Sequence, residues 1–323
     1  MKYTLIGSLK VSQICLGCMG FGDASQGMHS WTLPYEDSKK IIFHALESGI
    51  NFFDTAMAYQ SGTSEEYLGR AIKEYGHRED VIIATKYTPK SDDSIDFRTY
   101  LRECLNNSLR RLQTDYIDLY IMHMWDYRTP IEDTLEILND FIKEGKIKEI
   151  GISNCFAYQL AMANTIAKER GLQGFVSVQG HYNLIFREEE REMKRYCDEQ
   201  GIAMTPYSAL ASGRLAKHPG ETSQRLEKDT FAKGKYDASI DLDLKIIQRV
   251  EELASKHHVS MSEVSLSWLM SKVASPVVGA TKLKHVDTAV LATEFELSEE
   301  EKQYLEEPYQ PHPLVGVMAT NTK

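Results

Sequence analysis

The chain has 323 residues, 42% of them hydrophobic and 26% charged, a balance that excludes a disordered protein and leaves room for a large core. Its formal net charge of −10 argues against nucleic acid or an anionic membrane surface as a partner, and no run approaches the roughly 20 apolar residues of a membrane helix. The opening MKYTLIGSLK lacks the long apolar core of a signal peptide, and five scattered cysteines do not read as a secreted disulfide framework, so the expected location is the cytoplasm.

In chain order, the first 13 residues carry a turn at GSLK and are expected to form a hairpin. Eight short apolar runs then alternate with helical patterns: ICLGCM from Ile14, INFFD from Ile50, DVIIATK from Asp80, YIDLYIMH from Tyr116, IKEIGIS from Ile147, FVSVQG from Phe175, IAMTPYS from Ile202 and ASPVVGA from Ala274. Continuous rather than alternating apolar runs are the pattern of strands buried on both faces. Helix starts stand between them. Pro34 precedes Ile41, Ile42, Ala45 and Leu46 with Gly49 as a stop, while Thr63 with Glu66, Thr129 with Glu132, and Ser260 with Glu263 have capping-box spacing.

Eight strand-helix units without a Gly/Ser linker predict an α/β protein built as a single (β/α)8 TIM barrel, with residues 1–323 as one domain. The rival doubly wound dinucleotide fold would show G-x-G-x-x-G after its first strand, and Gly17, Gly20 and Gly22 have the wrong spacing. Two further extras decorate the barrel. The segment after the seventh run is long enough for a lid or binding loop, and the proline-rich tail EPYQPHPLVGVMATNTK, unsuited to a helix, is expected to lie over the barrel surface through Tyr309, Leu314 and Val315. Between Gly213 and Asp237 the basic residues Arg214, Lys217, Arg225, Lys228, Lys233 and Lys235 outnumber Glu221, Glu227, Asp229 and Asp237, which fits a small anionic ligand or a plain solvated loop. Cys15-x-x-Cys18 sits in a strand-like stretch with no second pair, so a redox or zinc site is not expected, and no metal-ligating set is assigned.

The C-terminal ends of barrel strands build the active site in this architecture. The second, third and fourth runs end at Asp54, Lys86 and His123, delivering an acid, a base and an imidazole to one rim, with Tyr59 on the loop after the second. Singly, each has a plainer reading as a turn former, a solvated end or a satisfied polar side chain. Together on neighbouring strands about 4.8 Å apart they can touch. They suggest proton transfer by tyrosine: an adjacent ammonium lowers the phenol pKa, Asp54 keeps Lys86 charged, and His123 orients the oxygen that receives the proton. With no evident nucleophile, this suits reduction of a carbonyl by a bound hydride donor.

The motifs FDTAMAYQSGTSEEYLGRA, ATK, IMHMWDYRTPIEDTLE, GKIKEIGISN, VQGHYNLIFRE, PYSALASGRL and VVGATK, in this order, resemble the aldo-keto reductase superfamily, in particular its bacterial branch related to aryl-alcohol dehydrogenases and potassium-channel β subunits. The resemblance implies Tyr59 as general acid, Lys86 and Asp54 as its tuning pair and His123 as the carbonyl-orienting residue. It implies extended NADPH across the barrel mouth, with Ser153, Asn154 and Gln179 at the carboxamide and Tyr207 stacked on the nicotinamide. Ser208, Leu210, Ser212, Gly213 and Arg214 match the pyrophosphate stretch, and Gly279, Thr281, Lys282 and His285 the adenosine end. Met19 is placed between cofactor and substrate, and Trp31, Tyr87, Trp125 and Tyr309 are expected to wall a pocket for a small carbonyl substrate.

The chain departs from the pattern at Gly180, Ala209 and Ala289, where asparagine, proline and asparagine are common. The last bears on adenosine recognition. Lys282, His285 and the basic loop favour a 2′-phosphate and hence NADPH, with NADH as the alternative. Two other function classes stay open, a Schiff-base lyase using Lys86 and a non-catalytic nicotinamide-sensing subunit, and the sequence assigns no oligomeric state.

Overall fold

The computed structural model describes residues 1–92, 94–218, 221 and 229–321. An antiparallel hairpin, β1 (Tyr3–Ile6) and β2 (Leu9–Ser12), precedes eight parallel strands: β3 (Cys15–Gly17), β4 (Phe52–Asp54), β5 (Ile82–Tyr87), β6 (Ile117–Met122), β7 (Ile147–Ser153), β8 (Ser177–Gln179), β9 (Ala203–Met204) and β10 (Val277–Gly279). Seven of them lie within one of the eight apolar runs, and β5 extends one residue past its run, to Tyr87. The sheet runs in the order β10-β3-β4-β5-β6-β7-β8-β9. Its two ends meet: Ala274 N donates to Met204 O at 3.1 Å and Val277 N to Pro206 O at 2.9 Å, closing a (β/α)8 barrel.

The runs are apolar throughout because both faces are covered. Phe52, Ile82, Ala84, Leu119 and Ile121 fill the inside with Ile6, Leu9 and Val11 of the hairpin, whereas Phe53, Ile83, Tyr87, Tyr120 and Met122 pack outward among helix residues. The hairpin is thus a plug at the N-terminal ends of the strands. Gly7 turns it at φ +55, and Ser8 donates from N and Oγ to Glu149 Oε1 at 2.8 and 2.6 Å. A Cβ on Gly7 would stand 2.7 Å from that carboxyl group.

Of the three capping boxes expected, only Ser260 with Glu263 closes, at 3.2 and 2.8 Å. The helix Thr63–Tyr75 is capped instead by left-handed Gly62, and the helix Ile131–Lys143 starts after Pro130 with no side-chain cap. The helix Tyr35–Glu47 follows Pro34 as expected. Among the described residues no helix is long and apolar enough to cross a membrane.

Two extras cross the C-terminal rim. After β9 come the turn Ala211–Ala216 and the helices Thr230–Tyr236, Ile240–His257 and Met261–Met270. Arg225, Glu227 and Lys228 of the basic loop lie outside the described residues. The tail packs on the barrel through Tyr309, but Leu314 is 42% exposed, and the tail ends in a short helix, Val317–Thr320, that its prolines did not suggest. His312 Nε2 meets Asp243 Oδ1 at 2.9 Å, and beyond the helix Asn321 Nδ2 donates to Trp125 O at 3.2 Å.

Candidate active site

Asp54 closes β4, Lys86 stands one residue from the end of β5, and His123 follows β6 directly. Side chains alternate along β5, so with Lys86 turned into the barrel, Tyr87 must point outward. Lys86 is fully buried and Asp54 is 1% exposed. The Lys86 ammonium donates to Asp54 Oδ1 at 2.6 Å, to Thr55 O at 2.8 Å and to Tyr59 Oη at 3.4 Å. Gln179 Nε2 donates to the other carboxylate oxygen, Oδ2, at 2.9 Å. Burial alone would discharge the lysine, but the charge of Asp54 and then Tyr59 outweigh it and hold the ammonium above its ordinary pKa.

Tyr59 sits in a protein-lined recess, and that desolvation pushes its phenol pKa up by more than the Lys86 charge pulls it down. The expected lowering by lysine is therefore present but is not the net effect, and the resting phenol carries its proton. His123 lies edge-on to it, ring centroids 5.8 Å apart at 79°. Desolvation and then the charge of Lys86 push the imidazole down to about 3, so it is neutral at ordinary pH. Its Nδ1 is buried and has no hydrogen-bond partner among the described residues.

A second network joins the next strand ends. Ser153 Oγ donates to Gln179 O at 2.8 Å, and Asn154 Nδ2 donates to Ser153 Oγ at 2.8 Å and His123 O at 2.9 Å. Tyr207 donates to Asn154 Oδ1 at 2.9 Å, its ring lying near-parallel to His181 at 5.5 Å with Lys235 Nζ 4.7 Å from its centroid. Beyond it the backbone curls through left-handed Ser208, Ala211, Ser212 and Gly213. Such curls are strained for residues other than glycine and make concavities that suit anions. Arg214 pairs with Asp237 Oδ1 at 2.5 Å, and its Nη1 is buried with no hydrogen-bond partner among the described residues. The left-handed curl and the unpartnered Arg214 Nη1, next to the Tyr207 ring, are features that suit an anionic group beside a flat one.

Leu210 is half-buried beside this curl. At the end of β10, Gly279 and Lys282 are exposed and Thr281 N donates to His285 Nδ1 at 3.3 Å. Ala289 is 2% exposed and faces the core, so this position offers little to a ligand. Where a side chain on Gly180 would point, the Glu189 carboxyl already stands, 2.7 Å from the place of a Cβ, and burial pushes its pKa up to about 7.

Among the expected pocket walls, Met19 is half-buried just past β3, and Trp31 lies over Gly20, its ring 3.3 Å from where a Cβ would be. Trp125 donates from N to Asn154 O at 3.2 Å, which ties it to the site. Tyr87 does not wall the pocket: it is fully buried between β5 and the helices, 5.4 Å from the Tyr120 ring. Nor does Tyr309, whose hydroxyl donates to Glu188 Oε1 at 2.7 Å and accepts from Arg187 N at 2.8 Å, anchoring the tail. Gln60 and Thr55 near the site carry no sequence signal of their own: Thr55 acts through its carbonyl and Gln60 through partners on the 22–32 loop. Lys235, one of the residues of the basic segment, meets the Tyr207 ring.

The geometry defines a (β/α)8 barrel with an interior Asp-Lys pair supporting a tyrosine at the C-terminal rim. Residues 13–310 match the model of the aldo/keto reductase family. The chain belongs to this family of oxidoreductases, whose chemistry is carbonyl reduction in general. It is 37% identical to versiconal hemiacetal acetate reductase of Aspergillus parasiticus, covering 96% of this chain and 98% of that one. It is 34% identical to a putative aryl-alcohol dehydrogenase of Schizosaccharomyces pombe, covering 95% of each. These relatives are fungal, where the motifs had suggested a bacterial branch. Among solved structures, a thermostable aldo-keto reductase in complex with the inhibitor epalrestat superposes with a TM-score of 0.77 at 28% identity, covering 95% of this chain and 100% of that one. Glycerol dehydrogenase from Gluconobacter oxydans, at 24% identity and a TM-score of 0.78 over 97% of each chain, shares the fold.

Proposed function

We propose that the chain is a cytoplasmic NADP-dependent reductase that converts an aldehyde or ketone reversibly to the alcohol. The observation that carries this reading is the Lys86 ammonium held between Asp54 and Tyr59 at 2.6 and 3.4 Å. A reduced nicotinamide held there would supply a hydride to the carbonyl carbon. As charge develops on the carbonyl oxygen, Tyr59 gives it the phenolic proton, and the phenolate left behind is stabilised by Lys86. Asp54 keeps that lysine charged, and neutral His123 donates a hydrogen bond that orients the carbonyl oxygen.

Ser153, Asn154, Gln179 and Tyr207 would hold the nicotinamide end, the 208–214 curl with Arg214 the pyrophosphate, and Thr281, Lys282 and His285 the adenosine end. Lys282, exposed at a helix start, supports NADPH over NADH. The name of one relative, a putative aryl-alcohol dehydrogenase, supports an aromatic aldehyde as substrate. A Schiff base on Lys86 would need the free amine, which the pairing with Asp54 opposes.

The test is NADPH and NADH consumption over an aldehyde panel, with Tyr59→Phe beside the wild type. Loss of turnover by roughly a hundredfold or more in Tyr59→Phe is expected. A variant as fast as the wild type would remove the proton donor from the reading, and borohydride trapping of aldehyde on Lys86 would replace the reading with the lyase.

A further inference from the structure

Residues 22–32 form a loop with a closed neck and a filled interior. Gly22 N donates to Leu33 O at 3.1 Å and Leu33 N to Gly20 O at 2.8 Å, closing the neck. The filling is a side chain from elsewhere, Gln60, which is 1% exposed. Its Nε2 faces the carbonyls of Asp23 and His29, each at 3.0 Å, and that of Gln26, while its Oε1 accepts from His29 N at 3.0 Å. Beside it, Thr63 Oγ1 accepts from Asp23 N at 3.0 Å and donates to Gln60 O at 2.8 Å.

Both glycines of the loop wrap this one residue. Gly22 at φ +137 and Gly27 at φ +72 would each bring a Cβ against it, 2.8 Å from Gln60 Cβ and 2.7 Å from Gln60 Cα. The clamp also holds the backbone that carries Tyr59. Gln60, Ser61 and Gly62 are left-handed in succession, at φ 47, 55 and 93, a conformation that the first two adopt only when the surroundings impose it. On the loop side the same clamp carries Trp31, whose ring lies over Gly20, with Thr281 also near.

From this geometry we infer that Gln60 is a positioning residue for substrate selection: it locks the 22–32 loop and Trp31 to the Tyr59 turn, so that the wall of the mouth and the proton donor form one rigid unit. The carbonyl compounds that gain from it are those with a flat ring long enough to lie against Trp31. This rests on the reductase reading for its substrate class, but the clamp itself does not.

The test uses Gln60→Gly, which removes the amide at a left-handed position that glycine accepts, and Gly27→Ala, which strains the clamp from the loop side. Hydrogen exchange over residues 22–33 is expected to accelerate roughly tenfold or more in both, with β5 keeping its wild-type protection. The preference in kcat/KM for benzaldehyde over butanal is expected to fall roughly tenfold, through KM rather than kcat. Unchanged exchange in either variant, or faster exchange with unchanged preference, overturns the inference. If the wild-type chain consumes NADPH with none of the aldehydes of the panel, the reductase reading fails instead, and the exchange comparison alone decides the clamp.

Discussion

Gln179 reaches across the barrel from β8 to Asp54 on β4, donating to Oδ2 at 2.9 Å while Lys86 holds Oδ1 at 2.6 Å. A carboxylate with almost no solvent contact is thus satisfied on both oxygens. Lys86→Met leaves it as an unbalanced buried charge and is expected to destabilise the fold by about 3–5 kcal/mol. The double variant Asp54→Asn/Lys86→Met should recover much of that loss in urea unfolding while remaining inactive. If the double variant is no more stable than the single one, the pair does not balance as described.

His123 is expected to stay neutral throughout the working range. Its folded pKa of about 3 is below the ordinary 6.5, so its burial favours the folded state above that ordinary value and the advantage disappears as pH falls from 6.5 towards 3. Acid unfolding should therefore be shallower in His123→Asn than in the wild type over that window. A histidine resonance of His123 titrating near 6.5 in NMR would contradict this.

The tail makes the opposite prediction. His312, with Asp243 at 2.9 Å, Glu188 bonded to its backbone N–H, and Tyr309 and Phe186 packed on its ring, has its pKa raised by the Asp243 hydrogen bond against the opposing effect of burial; neutral His181 is also near. Stability from a raised histidine is fully present below its ordinary value and is lost as pH rises through the folded value. Protection factors over residues 309–321 should decline on the alkaline side of 6.5, and His312→Asn should flatten that dependence.

At the other pole, Gly7→Ala forces a side chain into a left-handed turn and against Glu149, and is expected to cost about 1–3 kcal/mol of stability. Steady-state turnover at 25 °C should be unaffected, because the hairpin packs on Phe52, Ile82, Leu119 and Ile121 from the opposite end of the barrel. A drop in kcat without a drop in melting temperature would mean that the plug communicates with the rim.

The barrel is legible because each strand is an unbroken apolar run flanked by helix signals, and the order of the runs puts Asp54, Lys86 and His123 on adjacent strands. What is not legible follows from the same property. A run buried on both faces has no hydrophobic alternation, so it does not say which residues point inward, and it leaves Tyr87 looking like a pocket wall although the inward side chain of the neighbouring Lys86 turns it away. Thr63 and Thr129 have the spacing of caps, yet Gly62 and Pro130 take the position through backbone geometry. Gln60, Tyr309 and the His312–Asp243 contact depend on partners far along the chain, which no local pattern encodes.

The plug formed by β1 and β2 also gives the molecule a handle. Met1 lies against Gly49 and within 3.6 Å of Glu294, on the side where the strands begin, whereas Asn321 is bonded beside Trp125 at the catalytic mouth. A tether fixed at Met1 would leave the mouth facing the flow of a sensor chip or resin; one fixed at Asn321 would pull on the segment bonded to Trp125 and Tyr127 beside that mouth.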